Sequence, residues 1–234
     1  MYKVFLASSS PRRRLLLEQA QVPFAWASPG IDDATLARGE VSPAQWVASL
    51  AFLKASAGLV KLPAQSVVQS PVVRWLVLGA DTLVVRDGLL LGQPRDAEDA
   101  RKILRLLGAG PHEVLTGVAI LDPVRGRREI FVDRAISKLG TLSEEMIESY
   151  IASGEWQGKA GAYNLDERLA AGWPVEFAGD RATIVGLPMQ RLVPRLIALG
   201  VKIREDSHRI CESHLPRDSC VADRGCANSG GDRP

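Results

Sequence analysis

The segment Lys3-Val-Phe-Leu-Ala-Ser-Ser-Ser-Pro-Arg-Arg-Arg14 constrains the fold more than any other part of the chain. Tyr2 to Leu6 is apolar apart from Lys3, the pattern of a mostly covered strand. A polar run of three serines follows, and Pro11 suits the first position of a helix, so Ser10 is the expected N-cap. A cap hydroxyl and the free backbone N–H groups behind it can face an anion. Arg12, Arg13 and Arg14 add positive forks at the same end, where they oppose the helix dipole. Two readings stand: an anion bound at this turn, or solvated arginines at an ordinary strand-to-helix join.

The rest of the chain alternates in the same way. The first helix is expected from Pro11 to about Ala20, with Leu15, Leu16 and Leu17 as its apolar surface, and a second strand over Val22 to Ala27. Ser42-Pro43 repeats the cap-then-proline start, and Trp46, Val47, Leu50 and Leu53 follow at helical spacing. Lys54 falls beside that stripe, either as a snorkelling helix lysine or as a cation aimed at a phosphate. A loop rich in Gln, Ser and Pro occupies 61–71. Val72 to Leu78 reads as a buried strand ending in Gly79-Ala80-Asp81-Thr82, with extended character continuing to Val85 and an Asp87-Gly88 hairpin turn. Asp96 should cap a helix buried through Ala100, Ile103, Leu104 and Leu107. Val114 to Leu121 and Arg128 to Ile136 should pair antiparallel, which makes the sheet mixed. Ser143 should cap a short helix, residues 153–182 read as irregular, and a last helix runs to about Leu199, disturbed by Pro194.

The chain of 234 residues fits one large domain or one domain with two lobes. The expected division is a domain over 1–200 and a disordered or loosely attached tail over 201–234. A net charge of +2 is too small to argue for a nucleic-acid partner. No apolar run approaches membrane-spanning length, and no secretory signal follows Lys3. Cysteines occur only at 211, 220 and 226, so a cytoplasmic setting is expected. Cys211, His214, Cys220 and Cys226 match no common zinc spacing.

Ser8, Ser10, Arg12, Arg13, Asp33, Asp81, Thr82, Gln93 and Lys159 all fall at strand ends or in short turns. In an α/β layer protein such positions can line one crevice. Asp81, straight after a buried strand, can hold a divalent metal, orient a water or cap a turn. Together these residues supply what phosphate cleavage needs: donors for oxygens, a metal-binding acid and a positioned water. No Walker A loop, dinucleotide glycine fingerprint or serine-hydrolase elbow is present.

Eight short motifs in order give the pattern a family resemblance. They are Leu6-Ala-Ser-Ser-Ser-Pro-Arg-Arg13, Ile31-Asp-Asp33, Leu53-Lys-Ala55 and Leu78-Gly-Ala-Asp-Thr82, then Leu91-Gly-Gln-Pro94, His112-Glu-Val-Leu-Thr-Gly117, Lys159-Ala-Gly-Ala-Tyr163 and Val185-Gly-Leu-Pro188. The chain resembles the Maf family of nucleoside triphosphate pyrophosphatases. The resemblance implies an elongated mixed β-sheet with flanking helices, in two lobes around a central cleft. It implies cleavage of a nucleoside triphosphate to monophosphate and pyrophosphate with Mg²⁺ or Mn²⁺, and often a homodimer. On this reading Ser8, Ser10, Arg12, Arg13, Thr82, Gln93, Lys159 and Asp166 resemble substrate contacts. Lys54 resembles the phosphate-binding lysine, and Asp81 the central catalytic acid, sharing a metal with Asp33.

The chain departs from the family pattern at several points. Asp33 stands where glutamate is usual, Gln93 where lysine is, Leu15 where glutamate tends to be, and Gly158 where aspartate is. Asp166-Glu167 replaces the glutamine-glycine of members preferring dTTP and UTP. Gln93 and Gly158 also fit an alternative, a nucleotide-binding or regulatory protein that has lost most activity. A carboxylate only accepts hydrogen bonds, so Asp166 in a base-reading position would favour cytosine or guanine over uracil and thymine.

Overall fold

A computed structural model describes residues 1–62 and 73–203. Seven strands form one mixed sheet: β1 (Tyr2–Ala7), β2 (Phe24–Ala27), β3 (Arg74–Arg86), β4 (Leu89–Leu91), β5 (Pro111–Asp122), β6 (Arg127–Leu139) and β7 (Val175–Ala178). Their order is β2-β1-β3-β5-β6-β7, with β4 on β3. The β1 pairings with β2 and β3 are parallel, and the others are antiparallel. The helices are α1 (Pro11–Gln19), α2 (Pro43–Leu59), α3 (Ala97–Gly108), α4 (Glu144–Ser153), α5 (Leu165–Ala170), α6 (Arg181–Val185) and α7 (Met189–Ala198). The fold is α/β, as expected. The loop at 61–71 and the cysteine-bearing tail fall largely or wholly outside the described residues. Val201, placed in the tail by its sequence, is buried and bridges Tyr2.

Local chemistry sets most element ends. Ser42 closes a capping box with Gln45 at the start of α2. Asp96 and Ser143 cap α3 and α4. Asp87 and Gly88 both take positive φ between β3 and β4, as a two-residue hairpin requires. Ser10 sits at the N-cap of α1 but makes no side-chain cap bond. The stretch 153–182 is more ordered than its sequence implies, since it contains α5, β7 and part of α6. The last helix begins at Met189 and runs through Pro194.

The strand β3 is one continuous element, so Asp81 lies in its middle rather than at its end. What ends there is its neighbour. β1 pairs with Arg74–Gly79 and stops at Ala7, and β4 pairs only from Val84 onward. Between them the β3 edge from Ala80 to Leu83 has no strand beside it, and a cleft opens. Apolar clusters flank this gap. One joins Leu76, Leu78 and Ala80 to β1, α1 and α7. Another joins Val84 to α3, α4 and Tyr163.

The helix α2 covers the other face, and glycines let it come close. A Cβ on Gly79 would lie 2.3 Å from the Ala51 carbonyl oxygen, and one on Gly117 would lie 2.5 Å from that of Val47. Gly117 is the cross-strand partner of Asp81. The buried stripe of α2 is therefore Val47, Leu50, Ala51, Lys54, Ala55 and Gly58, while Trp46 is half-buried and Leu53 exposed. A Gly79→Ala substitution is expected to destabilise the fold by about 3 kcal/mol, because helix backbone must move. Urea denaturation reads that loss.

His112 is buried, with Nε2 2.8 Å from the Tyr163 hydroxyl. Burial pulls its pKa down to about 4, and Arg86 adds to the pull. The unfolded chain then binds a proton that the folded one refuses between about pH 6.5 and 4. The stability tied to neutral His112 is complete above that window and lost on descending through it, by up to about 3 kcal/mol. Urea midpoints at pH 7 and 4.5 for wild type and His112→Asn are expected to differ by this slope.

Candidate active site

The cleft at the β3 gap has a volume of about 870 Å³. It gathers Ser8, Ser10, Arg12, Arg13, Asp33, Lys54, Asp81, Thr82 and Gln93. At its centre the Lys54 ammonium donates to Asp81 Oδ1 at 2.6 Å and to Asp33 Oδ2 at 2.5 Å. Lys54 is 8 % exposed and Asp81 7 %, so the snorkelling reading of Lys54 fails. Its charge is held inside by two carboxylates from distant elements, Asp33 arriving on a short 3₁₀ turn over Asp33–Thr35. Burial, foremost, raises the pKa of Asp81, and Asp33 adds to it, against the opposing pull of Lys54 and Arg13. Asp33 Oδ1 is buried without a hydrogen-bond partner among the described residues.

Arg13 is held by neutral acceptors. It donates to Ser8 Oγ at 3.3 Å, Thr82 Oγ1 at 3.2 Å and the Gly186 carbonyl at 3.0 Å. Behind Thr82 lies a residue that the sequence reading did not single out. Thr116, fully buried, donates to the Thr183 carbonyl at 2.7 Å and lies 2.9 Å from Thr82 Oγ1. Thr116 has one hydroxyl hydrogen, so Thr82 must donate to it, leaving Thr82 lone pairs for Arg13. Thr116 falls inside the His112–Gly117 motif, but its role shows only in the register pair Thr82↔Thr116 across β3 and β5. Arg12 also lines the cleft and makes no hydrogen bond or ion pair among the described residues.

Two expected residues do not line this space. Lys159 is buried and ion-paired with Glu167, although its neighbours Gly158 and Ala160 face the cleft. Asp166 sits in the first turn of α5 and is paired with Arg181 at 2.7 Å. The basis for a cytosine or guanine preference, a carboxylate at the base, is therefore missing. Asn164, two residues earlier and not marked in the sequence, does line the cleft. Among the described residues there is no group of three or more His, Cys, Asp or Glu side chains placed to hold a metal by themselves. No helix among them is long and apolar enough to cross a membrane.

A buried acid and a half-buried one bridged by a buried lysine, beside two arginines at a helix start, define a protein that handles a polyanion in a cleft of an α/β sheet. The family model for Maf-like proteins matches residues 3–199, and the chain belongs to that family. It is 40 % identical to the dTTP/UTP pyrophosphatase of Symbiobacterium thermophilum, over 87 % of this chain and 97 % of that protein. The protein of the same description from Pelotomaculum thermopropionicum is 37 % identical over 87 % of this chain and its own full length. That from a Geobacillus strain is 40 % identical over 86 % and its full length.

Thr116→Val keeps the shape and removes the hydroxyl. It is expected to cost about 1–2 kcal/mol by leaving buried partners unpaired, while Thr116→Ser retains most of the stability. Chemical denaturation of the two variants separates the cases.

Proposed function

We propose that this protein is a nucleoside triphosphate pyrophosphatase. It hydrolyses the α–β phosphoanhydride to release a nucleoside monophosphate and pyrophosphate, and it takes dTTP and UTP as its relatives' names state. The observation that carries this is the Asp81–Lys54–Asp33 trio facing the Ser8–Arg13 turn across one cleft. Arg12, Arg13 and the N–H groups of the turn bind phosphate oxygens. Asp81, made more basic by burial, takes a proton from the attacking water. Water oxygen bonds to phosphorus, the bond to the bridging oxygen breaks, and pyrophosphate leaves with that oxygen. Lys54 holds Asp81 in place throughout.

A divalent ion, Mg²⁺ or Mn²⁺, fits these residues. The charged side chains lining the cleft are three cations, Arg12, Arg13 and Lys54, and three carboxylates, Asp32, Asp33 and Asp81, so formally they cancel. A triphosphate brings several uncompensated negative charges. Asp33, with its unpartnered Oδ1, and Asp81 are the residues that would hold the ion, and Mg²⁺ is commonly bound by one or two carboxylates plus substrate phosphates. When bound, such an ion supplies charge neutralisation at the phosphate oxygens.

A second reading, a nucleotide-binding protein with little turnover, draws on Gln93, which leaves an uncharged side chain exposed in the cleft. Pyrophosphate release from a panel of triphosphates decides between them. The wild type is expected to release pyrophosphate only with divalent metal and to stop on chelation. Asp81→Asn is expected to lower kcat by roughly a hundredfold or more with the fold intact by circular dichroism. Wild-type protein that binds nucleotide and releases none would favour the second reading.

A further inference from the structure

One polar residue of the cleft lining is Asn164. It lines the cleft on a wall shared with Val84, Val114, Tyr163 and Ile184, which pack in one apolar cluster. That wall adjoins the phosphate-facing end, because Val185 precedes the Gly186 carbonyl that holds Arg13. Asn164 itself is nearly buried. Its Oδ1 is committed, accepting the Glu167 N–H at 3.0 Å as the cap of α5. Its Nδ2 makes no hydrogen bond to the described residues and is not sealed from solvent. With its oxygen engaged by the backbone, the unpaired Nδ2 donors are what an amide fixed in this way has left to offer a ligand first.

An apolar wall with one oriented polar group is what recognition of a planar base requires. Uracil and thymine share an accepting carbonyl at position 4, where cytosine carries a donating amino group. A residue that separates UTP and dTTP from CTP must act at that edge of the ring. We infer that Asn164 donates to the 4-carbonyl of uracil or thymine, and that capping α5 is what fixes the donor end of its amide toward the cleft. This rests on the pyrophosphatase reading and extends it to the base-reading residue. It assigns to Asn164 the role that Asp166, turned to Arg181, does not fill.

Asn164→Asp is a sharp test, because aspartate caps a helix as well as asparagine does but presents only acceptors to the cleft. The measurement is kcat/KM for UTP, dTTP and CTP by pyrophosphate release, in wild type, N164D and N164S. Wild type is expected to favour UTP and dTTP. N164D is expected to lower the UTP-to-CTP ratio roughly tenfold or more, and N164S, which keeps a cap but has a shorter reach, to lower it less. A charge placed in the cleft slows all nucleotides alike, so the ratio is the readout. A ratio unchanged within about twofold in an active N164D overturns the inference. If N164D is inactive on every nucleotide, the N164S ratio decides by the same criterion. If wild type releases no pyrophosphate at all, the proposed function falls. Calorimetric affinities for UMP and CMP then decide the inference: wild type must prefer UMP, and N164D must lose that margin.

Discussion

The cleft depends on how closely α2 lies on the sheet. Lys54 reaches Asp81 at 2.6 Å only because Gly79 and Gly117 put no side chain under the helix backbone. A lysine in the middle of a helix's buried face is unfavourable unless carboxylates meet it there. Asp81 and Asp33 do so, and the trio as a whole carries one negative charge in excess. The same contact thus closes the helix–sheet interface and sets two carboxylates at the cleft. Stability and chemistry are coupled at this point, since removing Lys54 would leave Asp81 a buried carboxylate without its cation, whereas loss of one acid leaves Lys54 paired with the other.

The cations divide the work. Lys54 resembles a phosphate-binding lysine in its motif, but its ammonium is engaged by two acids. Arg13 is held by two hydroxyls and a carbonyl, none of which cancels its charge. Neutral anchors fix its direction while leaving its field available to an anion. The Thr82–Thr116–Thr183 chain extends that anchoring into the protein, where Thr183 Oγ1 donates to Asp133 at 2.6 Å. Arginine direction is therefore set in part by the pairing of β3 with β5, which places Thr116 behind Thr82.

The legible parts of the fold were those written locally. Caps at Ser42, Asp96 and Ser143, the Asp87-Gly88 turn and the long apolar strands follow from neighbours in sequence. The α2 stripe was misplaced by a rotation of the helix, because Ala51, Ala55 and Gly58 carry little apolar weight and Lys54 carries the wrong sign. Only acids 21 and 27 positions away make that face consistent. Residues 153–182 looked irregular because elements of four to six residues are too short to show a period. Asp81 was expected at a strand end, but the end belongs to β1, a fact of pairing rather than of composition. The candidate residues around the N-terminal turn and the acids did converge, whereas Lys159 and Asp166 were drawn off by partners on α5 and α6.

The departures from the family pattern have a spatial order. Asp33 is one methylene shorter than the usual glutamate, yet it still reaches Lys54 at 2.5 Å, so the charge at the centre is kept. Gln93 is exposed, Gly158 is exposed beside it in the cleft lining, and Leu15 faces solvent on α1. Asp166 and Glu167 form ion pairs outside the lining. The departures thus include one member of the central trio, Asp33, which keeps its charge and its contact with Lys54, and otherwise fall at exposed positions or on the α5 side. Changes at exposed positions cost little in folding energy, whereas each member of the trio is tied to the seating of α2. At the chemical centre a change is accommodated where, as at Asp33, it keeps the charge that meets Lys54.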